Sequence, residues 1–120
     1  MVLTLTDDGS AVLRVIPSRD AGGLRLLLEG ELDGSTAGQL VDAAAAELAG
    51  AAPAGTCPDL CLDLAELEFV DVSGLRSLAA VRAQVRDGGG RLRVSGARPF
   101  ARRLLQLTGL AEVLEQQPAG

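Results

Sequence analysis

The residues best placed to do chemistry lie in one stretch, Asp63-Leu64-Ala65-Glu66-Leu67-Glu68-Phe69-Val70-Asp71-Val72-Ser73-Gly74-Leu75. There an apolar strand runs into a short acidic loop and then into an amphipathic helix. The loop delivers an Asp and a Ser, two residues apart, to the helix start. Backbone N–H groups at that point lack intrahelical acceptors, and the macrodipole favours negative charge. A hydroxyl there can carry a phosphate. It can equally cap the helix, its oxygen accepting from an N–H one turn in, at a gain of about 1 kcal/mol. Gly74, with no side chain, would give an incoming active site access to the hydroxyl. Spacing alone leaves both readings of Ser73 open.

Other chemistries are harder to build from this chain. It has no histidine and no lysine, and all 11 of its basic residues are arginines. That removes Ser-His-Asp and Cys-His nucleophiles, Schiff bases and a P-loop. Cys57 and Cys61, without histidine, do not make an ordinary structural zinc site, and Cys61 reads as a small buried hydrophobe in a strand. Asp33 and Asp71 invite comparison with a carboxylate pair, yet Asp is also common in turns and near helix starts. Gly88-Gly89-Gly90 leads into a strand rather than a helix, so it reads as a turn and not a phosphate loop. The Arg98, Arg102 and Arg103 group reads as a solvated helix face. No catalytic, metal or cofactor site is expected.

At 120 residues the chain reads as a single domain, 1–120. Hydrophobic residues make up 48% and aromatics 2%, so the core must be built from Leu, Val and Ala. A formal charge of −5 without a basic stripe disfavours nucleic acid and anionic membrane surfaces. No apolar run is long enough for a membrane span, and the N-terminus lacks a basic signal-peptide region. The expected home is the cytoplasm.

The elements that must position Asp71 and Ser73 follow from periodicity. Val2 to Thr6 and Ala11 to Ile16 read as strands around the turn Asp7-Asp8-Gly9-Ser10, and Pro17 to Gly23 as a loop. Leu24 to Gly30 alternates as a strand with Leu24, Leu26 and Leu28 inward. A helix is predicted from Thr36 to Ala49, with Ala37, Leu40, Val41, Ala44, Ala45 and Leu48 on its apolar face. Thr36 and Gln39 fit a capping box, and Gly50 a stop. Ala51 to Thr56 reads as a loop. Leu60 to Leu64 is a strand short enough to be buried on both faces. A second helix runs from Gly74 to Arg86, and Arg91 to Ser95 is a strand. Pro99 opens a third helix carrying Phe100, Leu104, Leu105 and Leu107. Ala111 to Glu115 adds a final strand.

This alternation predicts an α/β domain with parallel central strands. Sites in such sheets form where strand carboxyl ends feed helix N-termini. Two loops qualify, Gly30 to Thr36 and Glu66 to Ser73. Side by side, they would bring Asp33, Asp71 and Ser73 together.

The same residues resemble the STAS domains, specifically the bacterial anti-sigma factor antagonists. The matching pieces are Gly30-Glu31-Leu32-Asp33, Thr36-Ala37, Leu62-Asp63-Leu64, Phe69-Val70-Asp71-Val72-Ser73-Gly74-Leu75, Gly88-Gly89-Gly90-Arg91-Leu92, Pro99 and Leu107-Thr108-Gly109-Leu110. They cover about residues 10–116. Asp-x-Ser-Gly-Leu alone is weakly specific, and the combination is strong. The resemblance implies a mixed sheet of four to five strands packed by three to four helices. It implies no enzyme activity, but partner switching. The unphosphorylated form binds an anti-sigma factor that is also a serine kinase, a histidine-kinase-like ATPase, and so releases a sigma factor. Phosphorylation at Ser73 ends binding, and a PP2C-type phosphatase restores it. Asp33, Asp71, Val72, Gly74 and Leu75 are the implied docking residues. Val72 stands where many relatives have a second hydroxyl, so the acceptor role falls on Ser73 alone.

Two other classes remain for comparison. One is a STAS accessory or scaffold subunit, on a lipid ABC transporter or in a signalling assembly, bound constitutively and never phosphorylated. The other is a response-regulator-like phosphoacceptor on Asp63 or Asp71. The absence of lysine argues against the second.

Overall fold

Strand β1 (Leu13–Asp20) opens the fold and pairs antiparallel with β2 (Gly23–Leu32). Helix α1 (Ala37–Ala51) leads to β3 (Leu60–Val70), α2 (Val72–Asp87) to β4 (Leu92–Ser95), and α3 (Pro99–Leu107) follows. The sheet order is β1-β2-β3-β4, with β2, β3 and β4 parallel. This computed structural model describes residues 12–20, 23–51 and 58–110. The predicted strands 2–6 and 111–115, the turn 7–10, Cys57 and the loop from 52 onward lie outside the described residues.

Alternation in the strands decides which way the sheet faces. Leu13 and Val15, Leu24, Leu26 and Leu28, Leu60, Leu62 and Leu64, and Leu92 and Val94 are all buried. They form one cluster with Leu40 and Ala44 of α1, Leu75, Leu78, Val81 and Val85 of α2, and Ala101 and Leu105 of α3. The helices therefore cover one face. The opposite face carries Arg25, Cys61, Asp63 and Ser95. Arg25 donates to Cys61 Sγ and Ser95 Oγ, both at 3.4 Å, and pairs with Asp63 at 3.6 Å. Cys61 is buried as expected. Leu60 to Leu64 is thus covered on both faces as expected, with Cys61 buried and Asp63 half-buried, although a polar cluster rather than a second helical layer covers the second face.

Several boundaries differ from those read in the sequence. The predicted loop 17–23 is instead strand through Asp20. Val12 lies beside β2, its carbonyl accepting from Glu31 N at 2.9 Å. By antiparallel alternation, Leu13, Val15 and Pro17 then point their backbone groups away from β2. Pro17, which has no N–H, suits that outer edge. Beside it, Gln39 Nε2 donates to Leu13 O at 2.7 Å. Gln39 is thus spent on the sheet edge, and the predicted capping box with Thr36 does not form. Ala45, predicted inward, is exposed.

β3 runs six residues past its predicted end at Leu64, through a segment read as loop. Register shifts fall between Leu27/Glu29 and Gly30/Glu31, so β3 spends extra residues over the same ladder. Each shift breaks the alternation that makes a strand legible, turning Glu66, Glu68 and Phe69 outward. Of the apolar residues that α3 carries, Leu105 is buried together with Ala101, whereas Phe100 and Leu107 are exposed.

The first turn of α2 is seated tightly against the end of β2. A Cβ at Gly74 would lie 2.5 Å from the Leu32 carbonyl carbon and 2.8 Å from Asp33 N, both rigid backbone. Only glycine fits there. Gly74→Ala must push the helix off the strand and should destabilise the fold by about 1–3 kcal/mol, as overpacking does. Urea denaturation against wild type measures it.

Candidate functional site

The two predicted loops lie side by side. Asp71 N donates to Leu32 O at 3.3 Å, tying the end of β3 to the end of β2. A methyl built on Gly34 would sit 3.5 Å from Ser73 Cβ, in ordinary contact. Asp33, Asp71 and Ser73 thus share one end of the sheet, on adjoining loops.

Asp71, not Ser73, is the N-cap of α2. Its backbone is extended, and its Oδ1 accepts from Gly74 N at 2.7 Å. Leu75 N donates to Asp71 O at 2.9 Å, the first bond of the helix. The helix begins at Val72, two residues earlier than predicted, which moves Ser73 inside the first turn. There its hydroxyl is exposed and has no hydrogen-bond partner among the described residues. Its oxygen sits beside first-turn amides that have no intrahelical acceptor.

Asp33 does comparable work on the other loop. Its Oδ1 accepts from Ser35 Oγ at 2.7 Å, Ser35 N at 2.8 Å and Thr36 N at 3.2 Å. The Ser35 hydroxyl contributes most to holding the Asp33 pKa below its ordinary value. Partial burial opposes this, while the Ser35 and Thr36 amides and the Thr36 hydroxyl add to the lowering. Thr36 is buried, and its Oγ1 accepts from Asp33 N and donates to Glu31 O, both at 2.9 Å. The loop is locked as an anionic turn.

The remaining predicted docking residues separate by depth. Val72 is an exposed apolar side chain beside Ser73. Gly74 and Leu75 are buried, Leu75 completely, so they have no surface to offer and serve by seating the helix. Sequence reasoning missed Ser35 and Thr36 as the groups that fix Asp33. The signal was present, because an Asp can accept from the backbone N–H two residues on, and a hydroxyl at that position adds a second donor. Among the described residues no group of three or more His, Cys, Asp or Glu is arranged to hold a metal ion. No helix there is long and apolar enough to cross a membrane.

Comparison with known proteins agrees with this architecture. The family model described as "Mlab, STAS domain" matches residues 17–115. Among solved structures, the chain is similar to an anti-sigma factor antagonist from Mycobacterium paratuberculosis. That match has 28% identity and a TM-score of 0.71, over 96% of this chain and 92% of that one. It is similar in fold to the anti-sigma factor antagonist SpoIIAA in its unphosphorylated form, at 18% identity and a TM-score of 0.70, covering 88% and 89%. The Bacillus cell fate determinant SpoIIAA in its phosphorylated form matches at 18% identity and a TM-score of 0.64, covering 89% and 92%. The chain belongs to the STAS domain family, the family of the anti-sigma factor antagonists.

The capping geometry predicts an ordering of stabilities. Asp71→Ala should cost about 0.5–2 kcal/mol, and Asp71→Asn much less, because Asn is also a good cap. Ser73→Ala should stay within about 0.5 kcal/mol of wild type, since no bond is lost. Thermal melts of the three variants test this, and a Ser73→Ala loss matching Asp71→Ala would return the cap to Ser73.

Asp33 gives a pH signature. Its folded pKa is depressed, so its stabilisation is present above the unfolded value of about 3.9 and is lost as pH falls through the folded value. Ser35→Ala should raise the Asp33 pKa and flatten the acid limb of stability. Carboxyl NMR titration of both proteins reads the shift directly.

Proposed function

We propose that this protein is an anti-sigma factor antagonist that switches partners by reversible phosphorylation of Ser73. In its unphosphorylated form it binds an anti-sigma factor with serine kinase activity and releases a sigma factor. A PP2C-type phosphatase resets it. It works in the cytoplasm and catalyses nothing itself. The observation that carries this reading is the division of labour at α2, where Asp71 caps the helix and leaves the Ser73 hydroxyl exposed and unengaged. The relatives named as antagonists, one of them solved in both phosphorylation states, support it.

The physics is consistent with a switch in binding rather than folding. A phosphate adds about −1.5 to −2 charges at neutral pH. The α2 N-terminus stabilises such a charge by roughly 0.3–1 kcal/mol. Asp71 and Asp33, on the adjoining loops, oppose it. In a docked complex the phosphate would also lose its water, at a cost of several kcal/mol unless a donor replaces it. Asp33, Asp71 and Val72 form the docking rim around the serine in this reading.

Titration calorimetry with the kinase should rank wild type and Ser73→Ala as tight, Ser73→Asp weaker and phosphoserine weakest by a hundredfold or more, about 2.8 kcal/mol. Mass spectrometry after incubation with kinase and Mg-ATP should find phosphate on Ser73 and not on Ser35, Thr36 or Ser77. Equal affinities for all four forms would instead place the protein with constitutively bound accessory subunits.

A further inference from the structure

The chain has only two aromatic side chains, and both are on the surface, Phe69 47% and Phe100 64% exposed. Both line one cleft of about 120 Å³, with Leu64, Leu67 and Val70 in its wall and Arg98 at its rim. A cavity of roughly 150 Å³ accommodates a benzene ring, so this cleft has room for one apolar side chain. It exists because β4 pairs only with residues 60–63 of β3. Beyond Asp63 no strand covers that edge among the described residues. Ala65 is closed off, its N–H donating to Asp63 Oδ1 and its carbonyl accepting from Arg98 Nη2, both at 3.0 Å. Residues 66–70 follow, without a strand partner on that side among the described residues.

An acidic groove adjoins the cleft, and Glu68 lines both. Glu29, Glu31 and Glu66 complete its acidic wall, and the one cation there, Arg14, pairs with Glu29 at 3.0 Å. The surplus is negative. The chain as a whole is acidic too, at −5, so a basic partner complements the groove better than a second copy. The groove is continuous with the Ser73 site, because Phe69 pairs in the ladder with Glu31, two residues before Asp33.

We propose that the partner engaging Ser73 also docks here, seating an apolar side chain between Phe69 and Phe100 with a neighbouring Lys or Arg over Glu66 and Glu68. This rests on the partner-switching reading and names the second anchor of that complex. Buried aromatic anchors dominate interface energetics, while flanking charges set association rate and salt dependence.

The test titrates the full unphosphorylated chain with the ADP-bound anti-sigma factor kinase of the same genome, at low and high salt. Wild type, Phe69→Ala, Phe100→Ala and the double variant Glu66→Gln/Glu68→Gln are compared, with Ser73 phosphorylation followed separately. Each Phe variant should weaken binding about tenfold or more. The double variant should slow association and flatten its salt dependence. Phe100 is the more exposed, so Phe100→Ala decides the matter if Phe69→Ala melts low. Wild-type affinity in Phe100→Ala, with Ser73 still phosphorylated, overturns the cleft and leaves the switch standing. A kinase that neither binds wild type nor modifies Ser73 overturns both. Self-association of wild type that Phe100→Ala abolishes overturns the proposal in favour of a second copy.

Discussion

The contact between Gly74 and the Leu32 carbonyl is the constraint on which the site depends. It brings the first turn of α2 against the end of β2, closer than any side chain allows. Once that distance is set, Asp71 N reaches Leu32 O, and Ser73 lies beside Gly34. The β2–α1 and β3–α2 loops then have no freedom to separate. The serine and two aspartates are held together by backbone packing, not by attraction among themselves, which like charges would not supply.

Two carboxylates near one serine would ordinarily suggest proton chemistry. Their hydrogen bonds point to a different use. Asp71 is committed to Gly74 N, and Asp33 to Ser35 and Thr36. Each accepts from backbone donors at the start of a helix or turn, where intrahelical acceptors are lacking. The result is a rigid rim of fixed negative charge around an uncommitted hydroxyl. A negative charge added at that hydroxyl would be opposed by such a rim.

Much of this was legible in the sequence, for identifiable reasons. The leucines of β2 alternate cleanly, α2 repeats its apolar residues at helical spacing, and Gly30-Glu31-Leu32-Asp33 with Asp71-Val72-Ser73-Gly74 marked both loops. What failed to show was anything set by tertiary geometry. The register shifts in β3 scrambled its alternation, so residues 65–70 resembled loop. Pro17 looked like a break because its outward-facing edge position is not visible in one dimension. Ser73 looked like a cap because Asp71, two residues earlier, competes for the same amides, and only the coordinates decide between them. Which of the apolar residues of α3 turn inward was not legible either, because in so short a helix Ala101 and Leu105 suffice to anchor it.

The outer side of β1 bears on how the protein behaves in a crowded cell. An open strand edge is a template on which identical chains stack, and sheets that leave one bare tend to polymerise. Among the described residues β1 is such an edge, where Gln39 occupies the Leu13 carbonyl and Pro17 supplies no N–H, so the hydrogen-bonding row is interrupted at two points. Chains whose edges cannot pair stay separate molecules as their concentration rises. The interrupted edge serves that separation, and it does so with residues outside the two loops that hold the serine.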